Sequence, residues 1–194
     1  MSTITADRTV ELMIRSGALM RGHFRLTSGL HSDEYCQCAK VLEYPEMAAE
    51  LGGMLADLYR DAQVDVVVSP AIGGIVIGHE VARSLGVRSL FAERGESGMS
   101  LRRGFRIEPS ERVLIIEDVV TTGGSVREVA EAVAAAGGKT VGFGFIMDRS
   151  RQPLDLPGPS KALIEGRQME VYQPDSCPLC EAGVPVEKPG SRPE

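Results

Sequence analysis

The chain has 194 residues, 43% of them apolar and 25% charged, and carries a formal net charge of −6. That length suits one α/β domain with a modest appendage, and the acidic balance argues against a nucleic-acid-binding face. No apolar run is long enough to span a bilayer, and residues 1–9 lack the basic region and apolar core of a signal peptide, so a soluble cytoplasmic protein is expected.

In chain order, Val10, Leu12, Met13 and Ile14 predict a short helix over residues 6–16, stopped by Gly17. Phe24 and Leu26 then alternate with polar residues before a Ser28-Gly29 turn, which reads as a hairpin. Residues 45–59 predict a helix, with Met47, Leu51, Met54, Leu55 and Leu58 on one stripe. Residues 64–68 predict a buried strand. It runs into Ser69-Pro70-Ala71-Ile72-Gly73-Gly74, a small-residue turn that opens a helix bearing Ile75, Ile77, Val81, Ala82 and Leu85. A strand, a glycine turn and a helix can together make an anion site, because helix N-terminal N–H groups lack internal partners.

A third strand is expected at 88–91. Residues 93–104 follow without a sustained period, bearing three glycines and the cations Arg94, Arg102 and Arg103, and such a polar loop is a candidate lid. Next comes Val113-Leu114-Ile115-Ile116-Glu117-Asp118-Val119-Val120-Thr121-Thr122-Gly123-Gly124-Ser125. Four apolar residues predict a strand buried on both faces, and two carboxylates stand where it ends. From Ser125 a helical pattern begins, with Val126, Val129, Ala130 and Val133 on one face and Gly137-Gly138 as a stop.

The turn at 121–125 can cradle a phosphate with backbone N–H groups and hydroxyls. Glu117 and Asp118 would repel a bare phosphate. They suit a sugar phosphate, because carboxylates accept hydrogen bonds from a vicinal diol and stabilise an anomeric carbon that turns cationic. A further strand at 140–146 ends at Asp148-Arg149, and Arg149 can pair bidentately with a carboxylate. In parallel sheets ligands bind at the carboxyl ends of strands, so the ends near Ser69, Glu117 and Asp148 should converge. Leu163-Ile164 and Val171-Tyr172 are short strand candidates, and residues 174–194 are Pro- and Gly-rich. The cysteines fall as Cys36-x-Cys38 and Cys177-x-x-Cys180. That pattern could make a four-thiolate zinc site or a redox pair, but Cys-x-Cys is poor zinc spacing and no thioredoxin context surrounds the second pair, so reduced bystanders are expected.

The run from Ile115 to Ser125 resembles the 5-phosphoribosyl-1-diphosphate (PRPP) signature of the type I phosphoribosyltransferases. Phe24, Leu26, Ser28, Gly29 and Ser32 resemble the N-terminal substrate-covering segment of the orotate phosphoribosyltransferases, which often carry Lys where Thr27 stands here. The resemblance implies an α/β fold with a type I phosphoribosyltransferase-like parallel sheet flanked by helices. Residues 1–40 would form a small N-terminal hood, 41–173 the PRPP-binding core and 174–194 an irregular tail.

It further implies transfer of phosphoribose from PRPP to orotate, giving orotidine 5′-monophosphate and diphosphate in pyrimidine synthesis. Glu117, Asp118, Val119, Val120, Thr121, Thr122, Gly123, Gly124 and Ser125 would hold PRPP, and Ala71, Ile72 and Gly73 its diphosphate, in a loop where the family often has a cis peptide and a Lys. Arg149 and Thr121 would hold orotate. Asp118, Arg94 and Arg103 are the catalytic candidates, with the 93–104 loop reaching across a homodimer. Mg²⁺ is the implied cofactor, carried by diphosphate and water with no direct protein ligand. A phosphoribosyltransferase for another base, or a PRPP-sensing regulator without catalysis, are the alternatives.

Overall fold

The computed structural model describes residues 3–26, 28–96, 98–165 and 169–189. Thr27 lies outside them, so its departure from Lys has no structural reading, and so do Ser97 and residues 190–194. In chain order the elements are α1 (Thr3–Arg15), β1 (Leu19–Arg25), β2 (His31–Cys36), α2 (Ala39–Leu42), α3 (Pro45–Asp57), β3 (Val66–Pro70), α4 (Gly74–Leu85), β4 (Arg88–Gly95), β5 (Gly98–Leu101) and β6 (Arg112–Val120). Then follow α5 (Gly124–Ala135), β7 (Lys139–Asp148), β8 (Ser160–Ile164), β9 (Val171–Tyr172) and α6 (Pro178–Glu181).

Six strands form the main sheet in the order β5-β4-β3-β6-β7-β8. All neighbours run parallel except β4 and β5, an antiparallel edge hairpin. The central strand β6 shows why the sequence demands this. Leu114 and Ile116 point to one face and pack with Leu12 and Met13 of α1, Leu51 and Leu55 of α3, and Ile77 and Val81 of α4. Val113 and Ile115 point to the other and pack with Val126, Val129 and Val133 of α5 and Phe143 and Phe145 of β7. Alternate residues of a strand face opposite ways, so an uninterrupted apolar run requires helices on both sides.

Glycines set the spacing of the helices. A Cβ on Gly52 of α3 would sit 2.5 Å from Glu80 Cβ and 2.8 Å from the Glu80 carbonyl carbon, so α3 and α4 meet almost backbone to backbone. On Gly74 it would lie 2.9 Å from the Ile116 carbonyl oxygen, which lets α4 start directly against β6.

A second sheet, β1-β2-β9, is the hood. Its third strand comes from near the other end of the chain. Ser32 Oγ donates to the Glu170 carbonyl (2.7 Å), the Arg25 N–H donates to the Glu187 carbonyl (2.8 Å), and the Glu187 N–H donates to the His23 carbonyl (2.7 Å). The hood is therefore assembled from both ends, and α1 packs into the main core, where Leu12 and Met13 share a cluster with Leu19 of β1. Residues 174–189, expected to be irregular, hold a 3-10 turn at Pro174–Ser176 and the short helix α6. Here the prolines open helical turns, where an N–H would have no partner, and Gly183 (φ +69°) reverses the chain behind α6. Among the described residues, no helix is long and apolar enough to cross a membrane.

Candidate active site

Three parallel strands, β3, β6 and β7, end side by side, and the turns that leave them make the site. The β6 turn opens α5. Gly123 holds φ +75°, and its carbonyl accepts the first helical bond from the Arg127 N–H (3.0 Å). A Cβ there would also meet Leu154 Cδ2 at 3.3 Å, so glycine is required for both conformation and space. Thr121 and Thr122 are exposed ahead of it, and the N–H groups of Gly124, Ser125 and Val126 begin the helix without i−4 partners inside it. Val120 is buried in the sheet and Val119 packs against the core, so these two hold the turn without presenting polar side chains to it.

The β3 turn lies against the acidic pair. Its Ala71–Ile72 peptide is cis, and Ile72 is 84% exposed, the largest exposure among the large apolar side chains. A Cβ on Gly73 would lie 2.9 Å from Asp118 Oδ1, so only glycine lets this backbone approach the carboxylate so closely. Asp118 Oδ1 accepts the Val119 N–H (2.8 Å). Burial pushes the Glu117 carboxyl up to about 7, with the neighbouring charge of Asp118 adding to it. Burial also raises Asp118, against the opposing pull of its backbone hydrogen bonds. Among the described residues no cation lies in hydrogen-bond reach of this half-buried pair, an expensive arrangement that hydroxyl donors of a ligand would relieve.

The end of β7 completes the cleft. Val120 lies in register with Asp148, the Arg149 N–H donates to the Val120 carbonyl (2.9 Å), and Asp148 Oδ1 accepts the Ser150 N–H (2.7 Å). Thr121, Thr122 and Arg149 line one pocket of about 500 Å³ together with Arg151, Gln152 and Leu154. Arg151 and Gln152 were not singled out from the sequence. The signal was available, since a polar run closed by Pro153 directly follows a strand's carboxyl end.

From the hood side, Cys38 is buried beside Cys36 (Sγ–Sγ 4.0 Å). That contact and burial raise its thiol, and it also feels the charges of Asp118 and Arg149, which places Cys38 near this cleft. Tyr35 packs against Phe24, ring centroids 5.8 Å apart.

The 93–104 segment is not an irregular loop. Arg94 pairs with Met99 and Glu93 with Ser100 in the β4–β5 hairpin. Its cations are engaged within their own chain: Arg94 bridges to Glu128 of α5 (2.9 Å), and Arg103 makes a two-point bridge to Glu93 (2.9 Å each) with its guanidinium 5.7 Å from the Phe91 ring centroid. The strand ends thus bring together Ala71, Ile72, Gly73, Glu117, Asp118, the 121–125 turn and Arg149, whereas Arg94 and Arg103 pair elsewhere.

Residues 38–165 match the model of the phosphoribosyl transferase domain. Over 191 residues, 97% of each chain, the protein is 51% identical to an orotate phosphoribosyltransferase of Chlorobaculum parvum. The chain belongs to the orotate phosphoribosyltransferase family. A second relative so named, from Pelotomaculum thermopropionicum, is 51% identical over 189 residues, 97% of this chain and 99% of the other. The solved orotate phosphoribosyltransferase of Mycobacterium tuberculosis superposes with a TM-score of 0.67 at 20% identity, covering 84% of this chain and 97% of that one, which is likeness of fold. Membership makes the chain a pentosyltransferase.

Proposed function

We propose that the protein transfers the 5-phosphoribosyl group of PRPP to orotate, releasing diphosphate and orotidine 5′-monophosphate. The observation that carries this reading is the shared pocket. Thr121 and Thr122 of the 121–125 turn share a pocket of about 500 Å³ with Arg149, and the strand that leads into this turn carries the Glu117–Asp118 pair, which has no salt bridge among the described residues. A phosphorylated sugar and a base bearing a carboxylate satisfy all three demands at once. The relatives named for this reaction, half identical over nearly the whole chain, favour orotate among the bases.

In this mechanism the backbone and hydroxyls of the 121–125 turn fix the 5′-phosphate. Glu117 and Asp118 accept hydrogen bonds from the ribose hydroxyls and face the positive charge that develops at the anomeric carbon. Diphosphate leaves along the Ala71-Ile72-Gly73 backbone. Orotate, held by Arg149 and Thr121, attacks from the opposite face, so positioning and electrostatics suffice without a covalent enzyme intermediate. Mg²⁺ supplies charge neutralisation on the diphosphate.

The reading extends to a cytoplasmic homodimer in which the 93–104 hairpin brings Arg94 and Arg103 to the diphosphate of the neighbouring subunit. Their place at the edge of the sheet, held by Glu128 and Glu93, supports this. The test is orotate absorbance in the near ultraviolet with PRPP and Mg²⁺, with adenine, hypoxanthine and uracil in parallel. Orotate loss that requires both PRPP and Mg²⁺ is expected. Consumption of another base with orotate untouched would overturn the substrate, and PRPP binding without turnover would overturn catalysis.

A further inference from the structure

Away from the strand ends, two of the chain's three histidines and two of its four cysteines meet. His23 of β1, His31 of β2, Cys177 at the N-cap of α6 and Cys180 within α6 bring one ligand atom each within 4.8 Å of one another. We propose that these four residues form a structural Zn²⁺ site that clips the C-terminal segment onto the hood hairpin.

Four features of the geometry point there. The first is distance. Cys177 Sγ lies 3.5 Å and Cys180 Sγ 3.7 Å from His23 Nε2, and Cys180 Sγ lies 3.3 Å from His31 Nδ1. In a tetrahedron with Zn–S of about 2.3 Å and Zn–N of about 2.0 Å, sulfur–nitrogen edges come to about 3.5 Å. The second is the donor set, two imidazoles and two thiols, which selects zinc among the divalent metals.

The third is orientation. His23 Nδ1–H donates to the Val184 carbonyl (2.7 Å), which leaves Nε2 as the lone-pair nitrogen aimed at the cluster. Metal-bound histidines are fixed in this way through their other nitrogen. The acceptor of that outer contact, the Val184 carbonyl, sits just past Gly183, so the segment that supplies the thiols also supplies the group that orients the imidazole. With His23 Nδ1 committed, the proton between His23 Nε2 and His31 Nδ1 (2.8 Å) belongs to His31 in the metal-free protein. Zinc binding would release the two thiol protons to solvent, shift the His31 proton from Nδ1 to Nε2, and separate the two nitrogens to about 3.3 Å.

The fourth is setting. His23, His31 and Cys177 are buried at 2%, 7% and 0% exposure, and the cysteines are free thiols. Three buried polar residues and the exposed Cys180, their ligand atoms packed on one another, make a poor core and a good cage. The register Arg25↔His31 sets His23 diagonally across the hairpin from His31 on the same face. Cys177-x-x-Cys180 opens on a proline-started turn, and the neighbouring Glu187 is already hydrogen-bonded into β1. The clip joins positions 154 residues apart in sequence, so it closes a long loop of the unfolded chain. Cys36 and Cys38, whose Sγ atoms contact each other near the catalytic cleft, take no part.

The test is metal content of the full chain purified without chelator, followed by removal and replacement. About one zinc per chain is expected. Co²⁺ in its place should give the visible bands of tetrahedral cobalt and thiolate-to-cobalt charge transfer. Cys180→Ser and His31→Ala should each lower zinc content more than about fivefold, whereas Cys36→Ser should leave it unchanged. Stripping the wild-type protein should lower Tm by at least about 5 °C, reversibly on adding Zn²⁺. Should the variants fail to fold, the wild-type stoichiometry and cobalt spectrum still decide. A wild-type chain that takes up neither metal at equimolar concentration, or a Cys177–Cys180 disulfide in the freshly purified protein, would overturn the proposal.

Discussion

Replacing Glu117 by Gln should stabilise the protein at alkaline pH and leave it nearly unchanged in acid. Burial and the Asp118 charge move the Glu117 carboxyl from the usual value of 4.5 up to about 7. The native state therefore holds this proton more tightly than the unfolded chain does. Between those two values the native protein binds more protons, so stability falls as pH rises through the window. Each pKa unit is worth about 1.4 kcal/mol, so ionising Glu117 costs the folded state about 3 kcal/mol at about pH 8 and less than about 1 kcal/mol at about pH 5. Gln keeps the shape and removes the titration. Urea unfolding of both proteins at the two pH values reads the difference directly, and Glu117→Gln should gain about 2 to 3 kcal/mol more at the higher pH. An equal effect at both would refute the claim that this carboxylate is held at a cost. The ionised form accepts the ribose hydroxyls, so PRPP affinity of the wild type should tighten as pH rises towards about 7, and the variant should bind weakly without that dependence.

Three further perturbations probe other parts of the molecule. Arg149→Ala should cut kcat/KM for orotate by at least about a hundredfold while PRPP affinity changes little, because a buried or half-buried charge pair contributes about 3 kcal/mol when one partner is removed; an unchanged rate ends its role. Mixing inactive Arg103→Ala with inactive Asp118→Asn should restore roughly a quarter of wild-type activity if the hairpin acts in the neighbouring subunit, since random exchange leaves one intact site in each hybrid dimer. No recovery after demonstrated exchange would place Arg103 in its own subunit's site or out of catalysis. Gly52→Ala should destabilise the fold by about 1 to 3 kcal/mol in urea, since its Cβ would meet Glu80 at 2.5 Å and the α4 backbone cannot yield without moving β3 and β6; a neutral effect would show that α3 and α4 are loosely packed.

What could be read from the sequence was whatever a short stretch of chain determines by itself. The run from Val113 to Ser125 carried its own strand, its own acidic end and its own helix start, and each follows from side-chain period and backbone hydrogen bonding within a dozen residues. The turn at Ala71 was legible for the same reason, although its contact with Asp118 was not, because that depends on β3 and β6 being neighbours. The 93–104 segment misled because it has few apolar residues. Its order comes from pairing at the sheet edge and from Arg94 and Arg103 reaching Glu128 and Glu93, and backbone pairing leaves little trace in hydrophobic period.

The histidine–cysteine cluster was the least legible of all. Cysteine spacing alone left Cys177-x-x-Cys180 as reduced bystanders, whereas the fold brings them against histidines 154 and 149 residues away. That union rests on β9 and Glu187 docking on the hood, contacts between the two ends of the chain that no local pattern announces. The same docking explains why both kinds of site can coexist in one small protein. Burial raises both Glu117 and Asp118 at the strand ends, so holding this pair costs the fold stability that contacts elsewhere must offset. The proposed clip between the β1–β2 hairpin and the C-terminal segment would add to that offset without placing a ligand among Glu117, Asp118, the 121–125 turn and Arg149.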